Sequence, residues 1–356
     1  MNILAPDELV KQVKQGETPQ GFSVAGQSLR GKDLSGGIFT DADFRGTDFS
    51  GANLRETVFN ECRLNTADFR GAMLAETVFN QCEMERTCFA DTTLADCVFN
   101  QSQLGEAIFS HSCHDKTQFM QCDMHGVDFS HATLDRGVFF LSAIENARFN
   151  DAGSLLTTFF RLDLRTTNLT GASFERVAFF ECDQRGKSFR AQQMSGCQFT
   201  DNLLDNTDFR QAALIQCVFK SASLRQALFD GADASQALFI DADLTQTRCR
   251  QSRFDNAIFV GANLEQADFS QSRLYQAVLK QARANGAQFC DSDLTYADFS
   301  YADVSNTDFR RARFMRTLFH RSHQPGARFS DRQGIIENDP ELLAAETWSA
   351  QRNSRI

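Results

Sequence analysis

The sequence predicts an all-β fold, a four-sided parallel β-helix with a short helix at each end. The main observation is that every fifth residue from Val24 to Phe329 is large and apolar in 55 of 62 positions. A second is that the residue two places before each of these positions is small in 55 of 62 cases. The third is that Phe and Leu alternate along the apolar positions, which makes the true repeat ten residues.

The five-residue spacing is incompatible with a regular helix or a straight strand. A helix turns about 100° per residue, so positions five apart drift around its surface. Alternate side chains of a strand face opposite sides, so positions five apart would change face each time. A chain that turns a corner every five residues keeps the apolar positions inside. The small residues then also point inward, and the corners carry the residues that turns prefer.

The ten-residue pattern sets the number of sides. Positions ending in 9 hold Phe in 27 of 31 cases, whereas positions ending in 4 hold Leu in 15 of 31. Because each coil of a solenoid contacts only its neighbours, like residues stack on each other when a coil has four sides and 20 residues. We therefore expect about 15 coils over residues 22–330, with two Phe columns facing each other between two Leu columns.

Runs such as ADFRGTDFSGANLRETVF (42–59) and AIFVGANLEQADFSQSRL (257–274) resemble the repeats of the bacterial pentapeptide-repeat family. The resemblance covers residues 22–330. It implies a right-handed quadrilateral parallel β-helix, so the handedness comes from the resemblance, whereas the four sides also follow from the stacking of like residues.

Both ends of the chain predict short helices that flank the repeats. Residues 6–15 begin with Pro6 in a first helical turn, and residues 339–351 begin with Asp339 as an N-cap. We expect a capping helix and lead-in over 1–21, the β-helix over 22–330 and a C-terminal helix within 331–356. The last helix either caps the final coil or forms a homodimer, as C-terminal segments do in relatives resembling gyrase inhibitors. The residues expected to do this are Leu342, Leu343 and Trp348.

The composition limits the kinds of binding partner and the cellular compartment that we expect for this protein. The net charge is −10 and the basic residues form no stripe, which argues against direct nucleic-acid binding. Seven of the 11 cysteines occupy small inward positions, where we expect reduced packing residues. The sequence has neither a signal-peptide pattern nor an apolar run of membrane-spanning length, so we expect a cytoplasmic protein.

An outward column of large apolar residues is the main candidate for a binding site. Phe140, Phe160 and Phe180 each follow an inward Phe and are 20 residues apart, so they should stack on one outer face. Apolar surface of this kind is typical of a protein-binding or self-association site. The alternatives are a column that shields itself by stacking and a local change of register that buries it. The expected partner-binding residues are Met120, Phe140, Leu141, Leu155, Leu156, Phe160 and Phe180.

Two stretches depart from the pattern, residues 153–162 and 182–204. Ser154 holds a large inward position in the first, and Gln184 does so in the second. Lys187 occupies a small inward position, and burying its charge would be costly. We therefore expect the coil to open near Lys187.

The sequence offers little for catalysis, and we predict that the protein is not an enzyme and has no cofactor or metal. It contains no phosphate-binding loop and no nucleophile motif, and an interior filled with Phe and Leu leaves no substrate cavity. His111, Cys113 and His131 lie near each other without a fourth ligand for zinc. His114 falls on an inward position and is interpreted as a core histidine or a local defect.

We therefore expect a non-catalytic scaffold or adaptor that binds a protein partner. Residues 6–36 resemble the start of pentapeptide proteins found with bacterial type VI secretion, which implies an accessory role there. One alternative is a DNA-mimicking inhibitor or protector of a type II topoisomerase, as in quinolone-resistance members of the family. It depends on an acidic face formed by Asp41, Glu56, Glu61, Glu76 and Asp96. Another alternative is a self-assembling structural spacer.

Overall fold

The backbone coils around four sides and returns to the same side every 20 residues. This arrangement is seen in a computed structural model that describes residues 1–353, with side chains described through residue 350. Phe39 pairs in parallel register with Phe59, and Phe59 pairs with Phe79. The predicted four-sided β-solenoid is confirmed.

Residues 1–353 form two helices and 19 short strands, and further single-residue parallel bridges connect the coils between them. The helices are α1 (Pro6–Lys14) and α2 (Pro340–Asn353). The strands are β1 (Asn2–Ile3), β2 (Phe22–Ser23), β3 (Ile38–Thr40), β4 (Val58–Asn60), β5 (Val78–Asn80), β6 (Thr93–Ala95), β7 (Val98–Asn100), β8 (Cys113–Asp115), β9 (Gln118–Met120), β10 (Thr133–Asp135), β11 (Val138–Phe140), β12 (Gly153–Leu155), β13 (Thr158–Phe160), β14 (Ser173–Glu175), β15 (Ala178–Phe180), β16 (Asp308–Phe309), β17 (Thr317–Leu318), β18 (Arg328–Phe329) and β19 (Ile335–Ile336).

The chain divides into two compact units, Met1–Asp183 and Gln184–Ile356. The first unit contains an eight-stranded parallel sheet in the order β15-β13-β11-β9-β7-β5-β4-β3 and a five-stranded sheet in the order β14-β12-β10-β8-β6. The second unit contains the pairs β16–β18 and β17–β19.

The corners use the left-handed backbone region. Gly46 has φ +63°, and the N–H of Thr47 donates to the carbonyl of Phe44 at 3.0 Å, which closes a turn with positive φ at its third residue. Residues other than glycine take the same conformation at most corners, as Glu56 does with φ +58°. Each such residue carries a conformational cost, which the hydrogen bonds between coils offset.

Phenylalanine columns fill the interior as the ten-residue pattern predicts. The rings of Phe49 and Phe69 stack at 4.7 Å and 5° within one column, and those of Phe59 and Phe79 stack at 5.1 Å and 5° in the other. Between columns the rings meet edge to face, as Phe59 and Phe69 do at 6.5 Å and 88°. Both geometries are favourable for aromatic pairs, so this core has regular aromatic contacts along its length.

The small inward residues join consecutive coils. Thr47 Oγ1 donates to the carbonyl of Val24 at 3.0 Å, and Cys62 Sγ contacts the carbonyl of Phe39 at 3.6 Å. All seven cysteines predicted at inward positions are buried and unbridged. Burial raises the pKa of the Cys97 thiol to about 12, which is consistent with the predicted packing role.

The number of coils is larger than predicted. The solenoid has about 17 turns, whereas the five-residue pattern predicted about 15. The difference arises at the ends. The strands β1 and β19 lie outside residues 22–330, and they add a turn at each end by pairing with β2 and β17. Backbone pairing covers the strand edges that the terminal coils would otherwise expose.

Both terminal helices form close to their predicted positions. Leu9 of α1 is fully buried, and Asp7 in its first turn pairs with Lys32 at 2.7 Å. Asp339 accepts the N–H groups of Glu341 and Leu342 at 3.0 Å each, so it is the predicted N-cap of α2. The division at residues 21 and 330 stays a prediction. No helix within residues 1–353 combines the length and the apolar character that crossing a membrane requires.

Candidate functional site

The predicted apolar column lies on the outer side of the eight-stranded sheet. Met120 is the register partner of Phe140, Phe140 of Phe160, and Phe160 of Phe180. Each of these residues follows an inward Phe, so the alternation of the strand turns it outward. The Phe140 and Phe160 rings stack at 5.0 Å and 11°.

The column is half-buried and not fully exposed. Neighbouring rings cover one another, and the Arg161 guanidinium lies 5.1 Å from the centre of the Phe160 ring. Arg161 Nε also donates to Glu181 Oε2 at 2.7 Å, and this carboxylate raises the pKa of Arg161. Stacking therefore shields part of the column from solvent, which is one of the two alternatives to a binding site.

The three leucines of the predicted site remain exposed. The exposed fractions are 39% for Leu141, 36% for Leu155 and 46% for Leu156. Leu141 and Leu156 are corner residues with positive φ, which directs their side chains away from the core. Ser154 is buried in its inward position, so the five-residue register continues through residues 153–162.

A shallow groove on the five-stranded sheet is lined in part by Leu155. It forms over Gly153, which has no side chain and is flanked in register by Thr133 and Ser173. Its volume is about 300 Å³. It is lined by Thr133, Leu134, Asp135, Gly153, Ser154, Leu155, Ser173 and Glu175.

The column belongs to a larger feature that the sequence reasoning missed. All 16 outward residues of the eight-stranded sheet are uncharged, and we call this surface the uncharged face. By contrast, the outward residues of the five-stranded sheet include Asp115, Asp135 and Glu175. The residues of the uncharged face are Ile38, Thr40, Val58, Asn60, Val78, Asn80, Val98, Asn100, Gln118, Met120, Val138, Phe140, Thr158, Phe160, Ala178 and Phe180.

The uncharged face is polar at one end and aromatic at the other. Asn80 Nδ2 donates to Asn60 Oδ1 at 3.4 Å, and Asn100 Nδ2 donates to Asn80 Oδ1 at 2.8 Å. The amides thus satisfy one another along their column, which lowers the cost of covering them. Two columns flank the inward phenylalanines, one formed by the residues directly before them and one by the residues directly after them. Comparing residues 20 apart in the sequence at these positions would have revealed both.

Charged corner residues line both edges of the uncharged face. The first edge, before each strand, carries in order Gly36, Glu56, Glu76, Asp96, Lys116, Arg136, Leu156 and Arg176. The second edge, after each strand, carries Asp41, Glu61, Gln81, Gln101, Gln121, Leu141, Arg161 and Glu181. The predicted acidic residues therefore lie on two edges of one face. On the first edge the sign of the charge reverses between Asp96 and Lys116, which are 3.6 Å apart.

The residues predicted for capping or dimerisation are exposed or half-buried. The exposed fractions of Leu342 and Trp348 are 42% and 60%, and Leu343 is half-buried. Polar contacts help to hold α2, because Glu346 accepts from the hydroxyl of Tyr301 and its Oε2 lies 3.2 Å from His320 Nε2.

His111 and His131 lie on the surface, whereas His114 lies in the core. His111 and His131 stack at 4.8 Å and 8°, while His114 is buried with its Nε2 2.8 Å from Ser112 Oγ. Within the described part of the chain, no three His, Cys, Asp or Glu side chains converge as metal ligands. Lys187 is half-buried, and the turn hydrogen bond from its N–H to the carbonyl of Gln184 is kept at 3.1 Å.

Two family profiles match the chain. One, described as a pentapeptide repeat region, matches residues 32–109. The other, described as pentapeptide repeats in eight copies, matches residues 193–231, 232–271 and 272–311. Together the matches cover more than half of the sequence.

Three of the solved structures that match the chain are QnrB1, HetL and a plant protein. A trypsin-treated form of QnrB1, a plasmid-mediated fluoroquinolone resistance protein, is 21% identical over 57% of this chain and 92% of its own, with a TM-score of 0.32. HetL of the cyanobacterium Nostoc sp. strain PCC 7120 is 20% identical over 81% and 96%, with a TM-score of 0.22. A thylakoid-lumen protein of Arabidopsis thaliana is 32% identical over 32% and 68%, with a TM-score of 0.17. No curated protein matches the chain.

Proposed function

Because this chain belongs to the pentapeptide-repeat family, we propose that it is a non-catalytic scaffold or adaptor that binds another protein with the outside of its coils. The observation that carries the proposal is the uncharged face, which has an aromatic column at one end and exposed leucines at its edges. An uncharged surface with large apolar side chains is the kind of patch that protein partners cover. The proposal includes the predicted cytoplasmic location.

The test compares proteins that co-purify with the tagged chain from its native organism. Phe160→Asp places a charge in the middle of the aromatic column, where desolvation on binding would be costly. Val260→Asp is the matched control, because Val260 occupies the same outward position after an inward Phe in the second unit and is also half-buried. We expect Phe160→Asp to lose its partner and Val260→Asp to retain it. Equal recovery with both folded variants would contradict the proposal.

An accessory role in type VI secretion is the finer form of this proposal, and it is supported by the resemblance of residues 6–36. Deleting the gene should then reduce export of effector proteins, and a plasmid copy should restore it. Unchanged export in the deletion strain would exclude this role while leaving the scaffold proposal intact.

Protection of a type II topoisomerase by DNA mimicry is the second candidate. It is favoured by the acidic residues along both edges of the uncharged face. The magnitude is against it, because DNA carries one charge per ~1.7 Å, or about 22 over the ~38 Å of eight stacked strands, whereas the two edges together carry six acidic residues. Lys116 also pairs with Asp96. A supercoiling assay tests this candidate, and no effect at micromolar protein would exclude it.

A further inference from the structure

We propose that the uncharged face binds a second copy of this chain, with the coils of the two copies stacked in opposite directions. The inference rests on the proposed function, because both assign this face to protein contact, and it names the partner. It depends on the order of charges along the first edge. That order reads acid, acid, acid, base, base, and after Leu156 a further base.

The middle of this order, from Glu76 to Arg136, is complementary to its own reverse, whereas Glu56 would face Leu156 and Arg176 would face Gly36. A two-fold axis that lies in the plane of the face, perpendicular to the direction of coil stacking, places the first edge of one copy against the first edge of the other in reverse. When the axis passes between Asp96 and Lys116, Asp96 meets Lys116 of the second copy. Glu76 then meets Arg136. Isologous two-fold contacts of this kind are the commonest among homo-oligomers.

The second edge supplies one further pair of opposite charges on the same axis. Glu61 meets Arg161 of the second copy, and Gln101 meets Gln121. Asp41 meets Glu181, a like-charge pair at the ends of the face, but Glu181 already pairs with Arg161 at 2.7 Å. A parallel arrangement would instead bring the first edge against the second without reversal, so that Glu56 and Glu76 would lie near Glu61. Like charges across an interface are unfavourable.

The middle of the face is also compatible with the antiparallel arrangement. Val78 meets Val138 of the second copy. Phe140 and Phe160 meet Asn80 and Asn60, whose amides are already hydrogen-bonded along their column. Amide N–H groups can lie over aromatic rings, so this contact leaves no bare charge buried. Two sheets packed in this way lie about 10 Å apart.

The area indicates how strong the association should be. Eight strands at ~4.8 Å and a width of ~15 Å that includes both edges give on the order of 600 Å² per copy. Stable interfaces bury about 1,200–2,000 Å² in total, so this one is at the lower limit. We therefore expect a reversible dimer whose population depends on concentration.

Sedimentation velocity of the full chain from about 1 to about 300 μM tests the inference. The wild type should shift from monomer to dimer over this range. Glu76→Arg and Arg136→Glu should each raise the dissociation constant at least ~10-fold, because each creates like-charge pairs at the interface. The double variant restores opposite charges across the two-fold axis, and its dissociation constant should return to within about threefold of the wild type. Glu106→Arg, on a corner that does not border the face, should have no effect.

Arg136 also pairs with Asp115 at 2.7 Å and with Asp135 at 2.9 Å, so circular dichroism must show that its variants fold. If they do not, Asp96→Lys combined with Lys116→Glu makes the same exchange while keeping their internal ion pair. A wild type that stays monomeric throughout, or a charge exchange that fails to restore association, overturns the inference. If the wild type stays monomeric and Phe160→Asp still loses the native partner, only the inference is overturned. If the wild type dimerises and Phe160→Asp keeps its native partners, only the proposed function is overturned.

Discussion

Replacing His114 by Leu should stabilise the first unit and remove a loss of stability in acid. His114 lies between Leu94 and Leu134 in register, inside the phenylalanine core. Its Nδ1 is buried, and it has no hydrogen-bond partner among the residues that the structure describes. An unsatisfied buried polar group costs about 1–3 kcal/mol, so we expect Leu to raise the free energy of unfolding by about this amount at pH 7. Ser112 keeps its bond to the carbonyl of Phe109.

The acid effect follows from the pKa of His114. Burial lowers this pKa from 6.5 to about 3, so the folded protein holds the ring neutral. Above pH 6.5 the ring is neutral in both states and adds no pH dependence. As the pH falls below 6.5 the unfolded chain takes up a proton that the folded chain does not, and the free energy of unfolding falls by about 1.4 kcal/mol per pH unit. At pH 4.5 the wild type should have lost about 2.7 kcal/mol through this group.

The measurement is urea unfolding of the wild type and the variant at pH 7 and pH 4.5, with hydrogen exchange of the β8 and β10 amides as a local readout. Other titrating groups affect both proteins equally, so the difference between them isolates His114. His131→Leu is the control, because His131 is exposed and stacks on His111. An equal loss of stability in wild type and His114→Leu between the two pH values would refute the reasoning.

Three further changes test the packing rules of the coil by thermal unfolding. Phe209→Ala should cost about 3–5 kcal/mol, because its buried ring stacks on both column neighbours at 5.4 and 5.1 Å, whereas Val260→Ala on the outside should cost less than about 1. Thr157→Val should cost about 1–2 kcal/mol by removing the 2.9 Å bond to the carbonyl of Leu134, and a neutral result would mean that this bond contributes nothing. Gln236→Val should cost about 1–2 kcal/mol, because a β-branched residue fits poorly at φ +61°, and unchanged stability would show that the corner relaxes.

The inside of the coils could be predicted from the sequence because it is set by a strict period. Phe49 and Phe69 are 20 residues apart, and no other arrangement stacks them inside. The pairing of β1 with β2 and of β19 with β17 could not be predicted in this way, since β1 and β19 lie outside the periodic region and pair through their backbones. The backbone conformation of the corners could not be predicted either, because residues other than glycine, such as Gln226, adopt positive φ there.

The candidate site was only partly visible in the sequence. The column of Phe140, Phe160 and Phe180 stood out because large aromatic residues at outward positions break the rule of the repeat. The valines and asparagines of the same face could not be recognised as part of a site, since each is an ordinary residue for a surface strand. Their common feature is the absence of charge along one sheet, and that emerges only when residues from eight coils are placed side by side.

The unbroken 20-residue repeat has a consequence for how this protein can change over evolutionary time. Removing residues 209–228 would join Asp208 to Phe229, and every inward side chain beyond the junction would meet the kind of neighbour that it has now. Recombination between like stretches of the gene can therefore lengthen or shorten the second unit by whole turns. A deletion whose length is not a multiple of five would bring a corner residue into the interior, and one that is a multiple of five but not of 20 would place each inward side chain over a different column.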